Sequence, residues 1–97
     1  MSQPLSLIAI LRAHPGHADS LQQHLHDMLA PSRAEPGCLQ YDLHRDRKDP
    51  DLIYMFERWR DDAAFADHEA SSHFKNFLKA VEPDLAELDI RLMNRID

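Results

Sequence analysis

The spacing of apolar residues changes repeatedly along this chain, and that succession limits the fold more than any other feature. In LSLIAILR, residues 5–12, both alternating faces are apolar, which is typical of a strand covered on both sides. Residues 17–33 instead carry apolar side chains three and four positions apart, as an amphipathic helix does. Pro15 and Gly16 separate the two segments, and EPG, residues 35–37, ends the helix.

Two further segments predict an antiparallel hairpin. CLQYDLHR, residues 38–45, alternates, with Leu39, Tyr41 and Leu43 on one face. LIYMFERW, residues 52–59, is rich in β-branched and aromatic side chains, which favour strands. The turn-forming sequence DRKDPD joins them, so the two strands should pair.

Helical spacing returns in the last third of the chain. Asp61 is a candidate N-cap for a short helix, and Ser71 or Ser72 for a second one. Pro83 ends the second helix, and residues 88–94 alternate again as a last strand.

The resulting order, β-α-β-β-α-β, predicts an α+β, ferredoxin-like fold in which helices cover one face of a four-stranded antiparallel sheet. The whole chain, residues 1–97, is expected to form one domain. The uncovered sheet face should carry Ile8 and Ile10, together with Met55 or Trp59. Because exposed apolar surface is costly, we expect a homodimer that pairs these sheet faces.

Composition excludes several classes of function. The formal net charge of −6 argues against nucleic acid and anionic membranes, both of which need clustered Lys and Arg. A single cysteine, Cys38, permits no internal disulfide and suits a reducing compartment. No stretch approaches a membrane span or a leader peptide, so we expect a cytoplasmic protein.

The sequence predicts neither a cofactor nor a metal. With two glycines it contains no dinucleotide-binding or P-loop motif. The pairs His14 with His17 and His24 with His26 lack a carboxylate that would complete a ligand set, so we expect them to be solvated.

The catalytic candidates lie elsewhere. His68 and His73 flank the junction of the two short helices, among phenylalanines, where an imidazole could act as acid or base or could simply cap and pack. His68 should face a pocket because it shares a helix face with Phe65. Glu57, inside the apolar strand, is either a buried group that needs a partner or a rim carboxylate.

Three stretches, EPGCLQYDL, YMFERW and AFADHEASSHF, resemble the antibiotic biosynthesis monooxygenase family of small dimeric α+β barrel proteins. The resemblance implies oxygenation of quinols or anthrones by O₂, without metal or flavin. It implies His68 as the base, Glu57 or Tyr54 as an orienting group, and His73 at the pocket mouth. The expected substrate-binding residues are Tyr54, Phe65, Phe77, Ala9 and Tyr41.

The resemblance leaves other functions open. Autoinducer-processing members imply an isomerase of a phosphorylated dione, with His68 and His73 as proton shuttles and Lys75 as the nearby cation. A haem-degrading branch fits less well, because Leu78 and Ala9 stand where that branch has its haem-ligating His and its Asn. A small-ligand-binding stress-response module without turnover is a third possibility.

Overall fold

A computed structural model describes residues 3–97; Met1 and Ser2, which the predicted domain includes, lie outside the described residues. The elements are β1 (Leu5–Ala13), α1 (Ala18–Asp27), α2 (Leu29–Arg33), β2 (Cys38–Arg45), β3 (Leu52–Trp59), α3 (Asp62–Ala70), α4 (Ser72–Ala80) and β4 (Leu85–Met93). The sheet order is β2-β3-β1-β4, with every neighbouring pair antiparallel. The ferredoxin-like α+β prediction is therefore confirmed.

The first predicted helix is two helices. α1 ends at Asp27 and α2 begins at Leu29. Pro31 accounts for the break, because proline has no N–H to donate to the carbonyl of Asp27 and its ring clashes with that carbonyl in a continuous helix.

Strand register aligns the inner face of the sheet. Glu57 on β3 lies opposite Leu7 on β1 and opposite Tyr41 on β2, so these three side chains form one row across the sheet. Ala9 lies opposite Met55 on one side and Ile90 on the other. The row that contains Glu57 and the row that contains Ala9 both lie on the sheet face that the helices pack against.

The structure corrects the assignment of two residues to the outer face. Met55 is 1% exposed and Trp59 is fully buried, so both belong to the core under the helices. β3 is apolar on both faces, and the pattern alone could not decide which alternate set points inward. Leu39 is also misassigned: it is 50% exposed because a register shift between Cys38 and Gln40 takes it out of the alternation.

Two side-chain caps fix the path of α3 and α4. Asp61 accepts a hydrogen bond from the backbone N–H of Ala64 at 2.8 Å. Ser71, rather than Ser72, caps α4, accepting from the N–H of Phe74 at 3.3 Å, and its hydroxyl donates to the carbonyl of His68 at 2.6 Å. Ser71 therefore ends one helix and begins the next, which holds the segment from His68 to Phe74 in place. No helix in residues 3–97 combines the length and apolar character needed to cross a bilayer.

Candidate functional site

A small cavity lies between the inner face of the sheet and the helices. Its volume is about 30 Å³, which is room for one water molecule. Its walls are apolar apart from a carboxyl group and a phenol. The lining residues are Ala9, Leu11, Leu25, Tyr41, Met55, Glu57, Phe65, Phe74, Phe77, Leu78, Leu88 and Ile90. Five of the eight residues predicted for the site therefore converge here: Ala9, Tyr41, Glu57, Phe65 and Phe77.

Glu57 supplies the carboxyl group of this cavity. It is buried, and its Oε1 accepts a hydrogen bond from Trp59 Nε1 at 3.0 Å. Burial raises the pKa of Glu57 to about 7; the Trp59 bond opposes the shift, and the negative charges of Glu69 and Glu35 add to it. A carboxyl group with this pKa can take up or release a proton near neutral pH.

Tyr41 supplies the phenol. Tyr41 is 3% exposed. Burial raises its pKa above the ordinary tyrosine value, and the charge of Glu57 adds to this shift. Tyr41 therefore stays protonated at neutral pH. A protonated phenol is a hydrogen-bond donor, and the Tyr41 hydroxyl lies close to Ser32 on α2, so it must turn toward the cavity to reach an anion there.

Tyr54, predicted as a substrate-binding or orienting residue, lies apart from this cavity. It alternates with Met55 and so lies on the outer sheet face, where its hydroxyl donates to Asp46 Oδ1 at 2.7 Å. It lines a shallow groove there with Ile8 and Phe56. Within one chain the sheet itself stands between Tyr54 and Glu57.

His68 lies behind the cavity wall. Its ring is 1% exposed, so it avoids solvent as predicted. His68 does not line the cavity itself, but several side chains that do line it pack against its ring. Ring centroids lie 4.6 Å away for Trp59, 5.2 Å for Phe74, 5.5 Å for Tyr41 and 6.3 Å for Phe65. Burial lowers the pKa of His68, and the hydrogen bond to Glu35 opposes that shift. The imidazole therefore supports the rings that form the wall.

Glu35 joins the two histidines, a role that the sequence reasoning missed. Its Oε2 lies 2.6 Å from His68 Nδ1 and 2.9 Å from His73 Nε2. Because a carboxylate only accepts, these two nitrogens carry the protons. The EPG motif predicts only a helix end, whereas in the structure its carboxylate faces two histidines 33 and 38 positions later in the chain.

Among the residues that the structure describes, Glu35, His68 and His73 form a group whose donor atoms are close enough together to hold a metal ion. One ligand atom from each of Glu35, His68 and His73 lies within 4.8 Å of the others. The prediction that no metal site is present rested on histidine pairs close in sequence, whereas Glu35 lies 33 and 38 positions from its two histidines. His17, from one of the pairs close in sequence, contacts Asp84 instead, at 2.9 Å.

Comparison with known proteins places this geometry in a family. The model of the family described as "Antibiotic biosynthesis monooxygenase" matches residues 4–80. The crystal structure of PA3566 from Pseudomonas aeruginosa superposes with a TM-score of 0.94 at 50% identity, covering 100% of this chain and 98% of that one.

Several curated relatives carry functional names, among them monooxygenases and an isomerase. "Putative monooxygenase Rv0793" of Mycobacterium tuberculosis is 35% identical over 77 residues, which is 79% of this chain and 75% of the relative. Its solved structure has a TM-score of 0.90 and covers 98% of this chain. "Probable quinol monooxygenase YgiN" of Escherichia coli is 28% identical over 99 residues, covering 92% of this chain and 95% of the relative.

Proposed function

Since this chain belongs to the antibiotic biosynthesis monooxygenase family, we propose that it is a monooxygenase for a small quinol- or anthrone-like aromatic substrate, with Glu57 as the proton acceptor. The observation that carries the proposal is a carboxyl group with a pKa of about 7 in the wall of an otherwise apolar, aromatic-lined cavity. Such a group is matched to proton abstraction at neutral pH.

The chemistry needs little else from the protein. Glu57 removes a proton from the electron-rich ring system, and the resulting anion gives an electron to O₂. The ring then gains one oxygen atom, and the other leaves as water with the two hydrogens that the substrate loses. The substrate is the reductant, so the proposal involves neither metal nor flavin. Tyr41 donates a hydrogen bond to the substrate anion, and the apolar wall excludes water that would otherwise compete for it.

The cavity must open before it can hold such a substrate. A drug-sized ligand occupies a pocket of roughly 300 Å³ or more, against the 30 Å³ found here. The wall formed by Leu88 and Ile90 on β4 is the side where opening costs least. Leu88 is 39% exposed and Ile90 is partly exposed, because the helices do not cover this strand. Movement of these side chains away from Phe77 and Leu78 would admit a planar ring.

The histidines take a supporting part in this proposal. His68 holds the rings of Tyr41 and Phe74 in position, and Glu35 fixes the orientation of His68. His73 is 25% exposed at the side chain and contacts Glu35 rather than the cavity.

The isomerase alternative receives less support from the site. A phosphorylated dione needs a cation for its phosphate, and the described residues that line the cavity include neither Lys nor Arg. Lys75, the candidate in the sequence, is exposed on α4 and is not among the lining residues. The oxygenase proposal requires no such cation.

A turnover screen with an oxygen electrode tests the proposal. Quinols and anthrones are supplied to the metal-free protein, and the product of ¹⁸O₂ labelling is analysed by mass spectrometry. We expect uptake of one O₂ per turnover and one labelled oxygen atom in the product. Glu57→Gln should lower turnover by about 10²- to 10⁴-fold, the range for loss of a general base. The control Glu87→Gln, on the exposed side of β4, should keep the wild-type rate. Equal rates in Glu57→Gln and the wild type would refute the assigned base.

A further inference from the structure

We propose that Glu35, His68 and His73 form a binding site for one divalent transition-metal ion of the Zn²⁺ or Co²⁺ class. The three donors are Glu35 Oε2, His68 Nδ1 and His73 Nε2, which approach within 4.8 Å of one another. Two imidazole nitrogens and one carboxylate oxygen are a ligand set that favours Zn²⁺, Co²⁺ and their neighbours over Mg²⁺ and Ca²⁺, which prefer oxygen alone.

The distances require only a small adjustment for an ion to enter. Glu35 Oε2 lies 2.6 Å and 2.9 Å from the two nitrogens, as hydrogen bonds do. Around a tetrahedral Zn²⁺ with bonds of about 2.0–2.1 Å, neighbouring ligand atoms lie about 3.3 Å apart. The ion replaces the two shared hydrogens, each of which moves to the other nitrogen of its imidazole ring. Each oxygen–nitrogen contact lengthens by less than about 1 Å, and the two nitrogens, which lie within 4.8 Å of each other, approach by up to about 1.5 Å. Rotation of the partly exposed Glu35 and His73 side chains provides this adjustment.

The three residues are held on rigid parts of the fold. The N–H of Glu35 donates to Ser32 O at 3.1 Å, and its own carbonyl accepts from Cys38 N at 3.0 Å. Gly37, in the same turn, packs against α3 so closely that a Cβ there would overlap Ala64. The side chain of Ser71 caps α4 while binding the carbonyl of His68. A preformed set of this kind loses little conformational entropy when it binds an ion.

Access and charge also suit a cation. Glu35 and His73 side chains are 15% and 25% exposed, whereas His68 is 1% exposed, so the site opens to solvent on one side only. Water can fill the remaining coordination position from that side, the arrangement of zinc sites with three protein ligands. Glu69, whose charge acts on His68, and the net charge of −6 favour a cation near this site.

The proposed metal site is distinct from the oxygenase cavity. The described residues that line the cavity include none of the three ligands, and the rings of Tyr41 and Phe74 stand between His68 and the cavity space. An ion here would link the turn at residues 35–37 to the junction of α3 and α4. The inference therefore does not depend on the proposed reaction.

Titration of the chelator-treated protein with Co²⁺ tests the site directly. We expect one Co²⁺ per chain with visible absorption bands of a nitrogen- and oxygen-ligated ion, and displacement by Zn²⁺. Glu35→Gln and His73→Gln should each weaken binding by more than about 10-fold. The control His26→Gln, on the exposed side of α1, should bind like the wild type. Zn²⁺ should raise the Tm of the wild type and of the control, and raise it less in the two ligand variants, because an ion that binds the folded state stabilises it.

Each possible result bears on the proposal. Circular dichroism shows whether the variants fold, and the more exposed His73→Gln carries the test if Glu35→Gln does not. Absence of stoichiometric binding in excess Co²⁺ would overturn the inference, as would unchanged binding in both ligand variants, which would place the ion at other histidines. Turnover of the chelator-treated protein is measured beside the titration: metal binding without quinol oxidation would refute the proposed function alone, and quinol oxidation without metal binding would refute this inference alone.

Discussion

Glu57 is a carboxyl group in a place where a carboxylate is poorly solvated. Its residue is 5% exposed, its Oε1 accepts one hydrogen bond from Trp59, and Tyr41 faces it from β2. The nearby charges that act on it, those of Glu35 and Glu69, are negative, and they disfavour ionisation further. The feature that makes Glu57 a candidate base therefore also makes its ionised form costly to the fold.

This cost predicts a specific pH dependence of stability. The pKa of Glu57 is about 7 in the folded state against an ordinary value of 4.5, so protonation favours the folded state. Its contribution is fully present below pH 4.5 and is lost as the pH rises to about 7, a loss of about 3 kcal/mol at 1.36 kcal/mol per unit. The difference in unfolding free energy between wild type and Glu57→Gln should change by this amount across that range.

Urea denaturation at a series of pH values measures that difference. Subtracting the Glu57→Gln curve removes the contributions of other titrating groups, such as His68 and Asp84, which both proteins share. Glu87→Gln should follow the wild type at every pH because Glu87 is exposed. A difference that stays constant from pH 4.5 to 7 would show that Glu57 is ionised at little cost.

His68 should matter more for stability than for proton transfer. His68→Ala removes a ring buried among four aromatic side chains and leaves Glu35 with only one histidine partner. We expect a loss of about 2–5 kcal/mol in unfolding free energy, as for other large-to-small core changes. Turnover measured below the melting transition should fall less than in Glu57→Gln. A stable His68→Ala protein with turnover as low as that of Glu57→Gln would instead identify His68 as the base.

At the scale of elements, the turn between α2 and β2 packs closely against the start of α3. Gly37 lies against Ala64, and the N–H of Arg60 donates to the carbonyl of Gly37 at 2.8 Å. This contact brings Glu35 to the histidines of α3 and α4. The position of the Glu35 carboxylate therefore depends on a glycine two residues later, where no side chain fits.

Gly37→Ala should test this fit. The added Cβ overlaps the Cβ of Ala64, and overpacking of this kind costs about 1–3 kcal/mol. Ala64→Gly removes the overlap at the expense of about 1 kcal/mol for a glycine within a helix. The double variant should therefore recover part of the stability lost in Gly37→Ala, as measured by chemical denaturation. If the losses of stability in Gly37→Ala and Ala64→Gly simply add in the double variant, the turn and α3 are not in tight steric contact.

The sequence predicts the secondary-structure elements better than the contacts between them. Alternation and helical spacing predicted the order of strands and helices, and five predicted site residues, each on a different element, line one cavity. The inward face of β3 is ambiguous in the sequence because both alternate sets are apolar, so Met55 and Trp59 were misplaced. Tyr54 and Glu57 are three positions apart in this strand and therefore lie on opposite faces of the sheet. Glu35 could not be found by local spacing, because its contacts with His68 and His73 depend on how closely a turn packs against a helix.

At the scale of the whole molecule, the two faces of the sheet differ. The helices cover the inner face except at β4. The outer face has an apolar centre in which Ile8 lies opposite Phe56 and Ile10 opposite Tyr54, and all four side chains are partly exposed. Polar and charged residues surround this centre: Gln40, Asp42, Arg58, Asp89 and Arg91. An apolar centre with a polar rim is the usual anatomy of a protein interface.

We therefore predict a homodimer that pairs two such sheet faces. Light scattering at micromolar concentration should give about twice the chain mass of 11.2 kDa. Phe56→Glu places a charge at the centre of the patch and should shift the protein toward the monomer, because the dimer would have to bury that charge without a partner. Glu87→Gln, at the edge of the same face, should leave the mass unchanged. Circular dichroism of Phe56→Glu should match the wild type, since Phe56 lies outside the core beneath the helices. A wild-type protein that stays monomeric at high concentration would leave the apolar centre of this face without an occupant and would contradict the prediction.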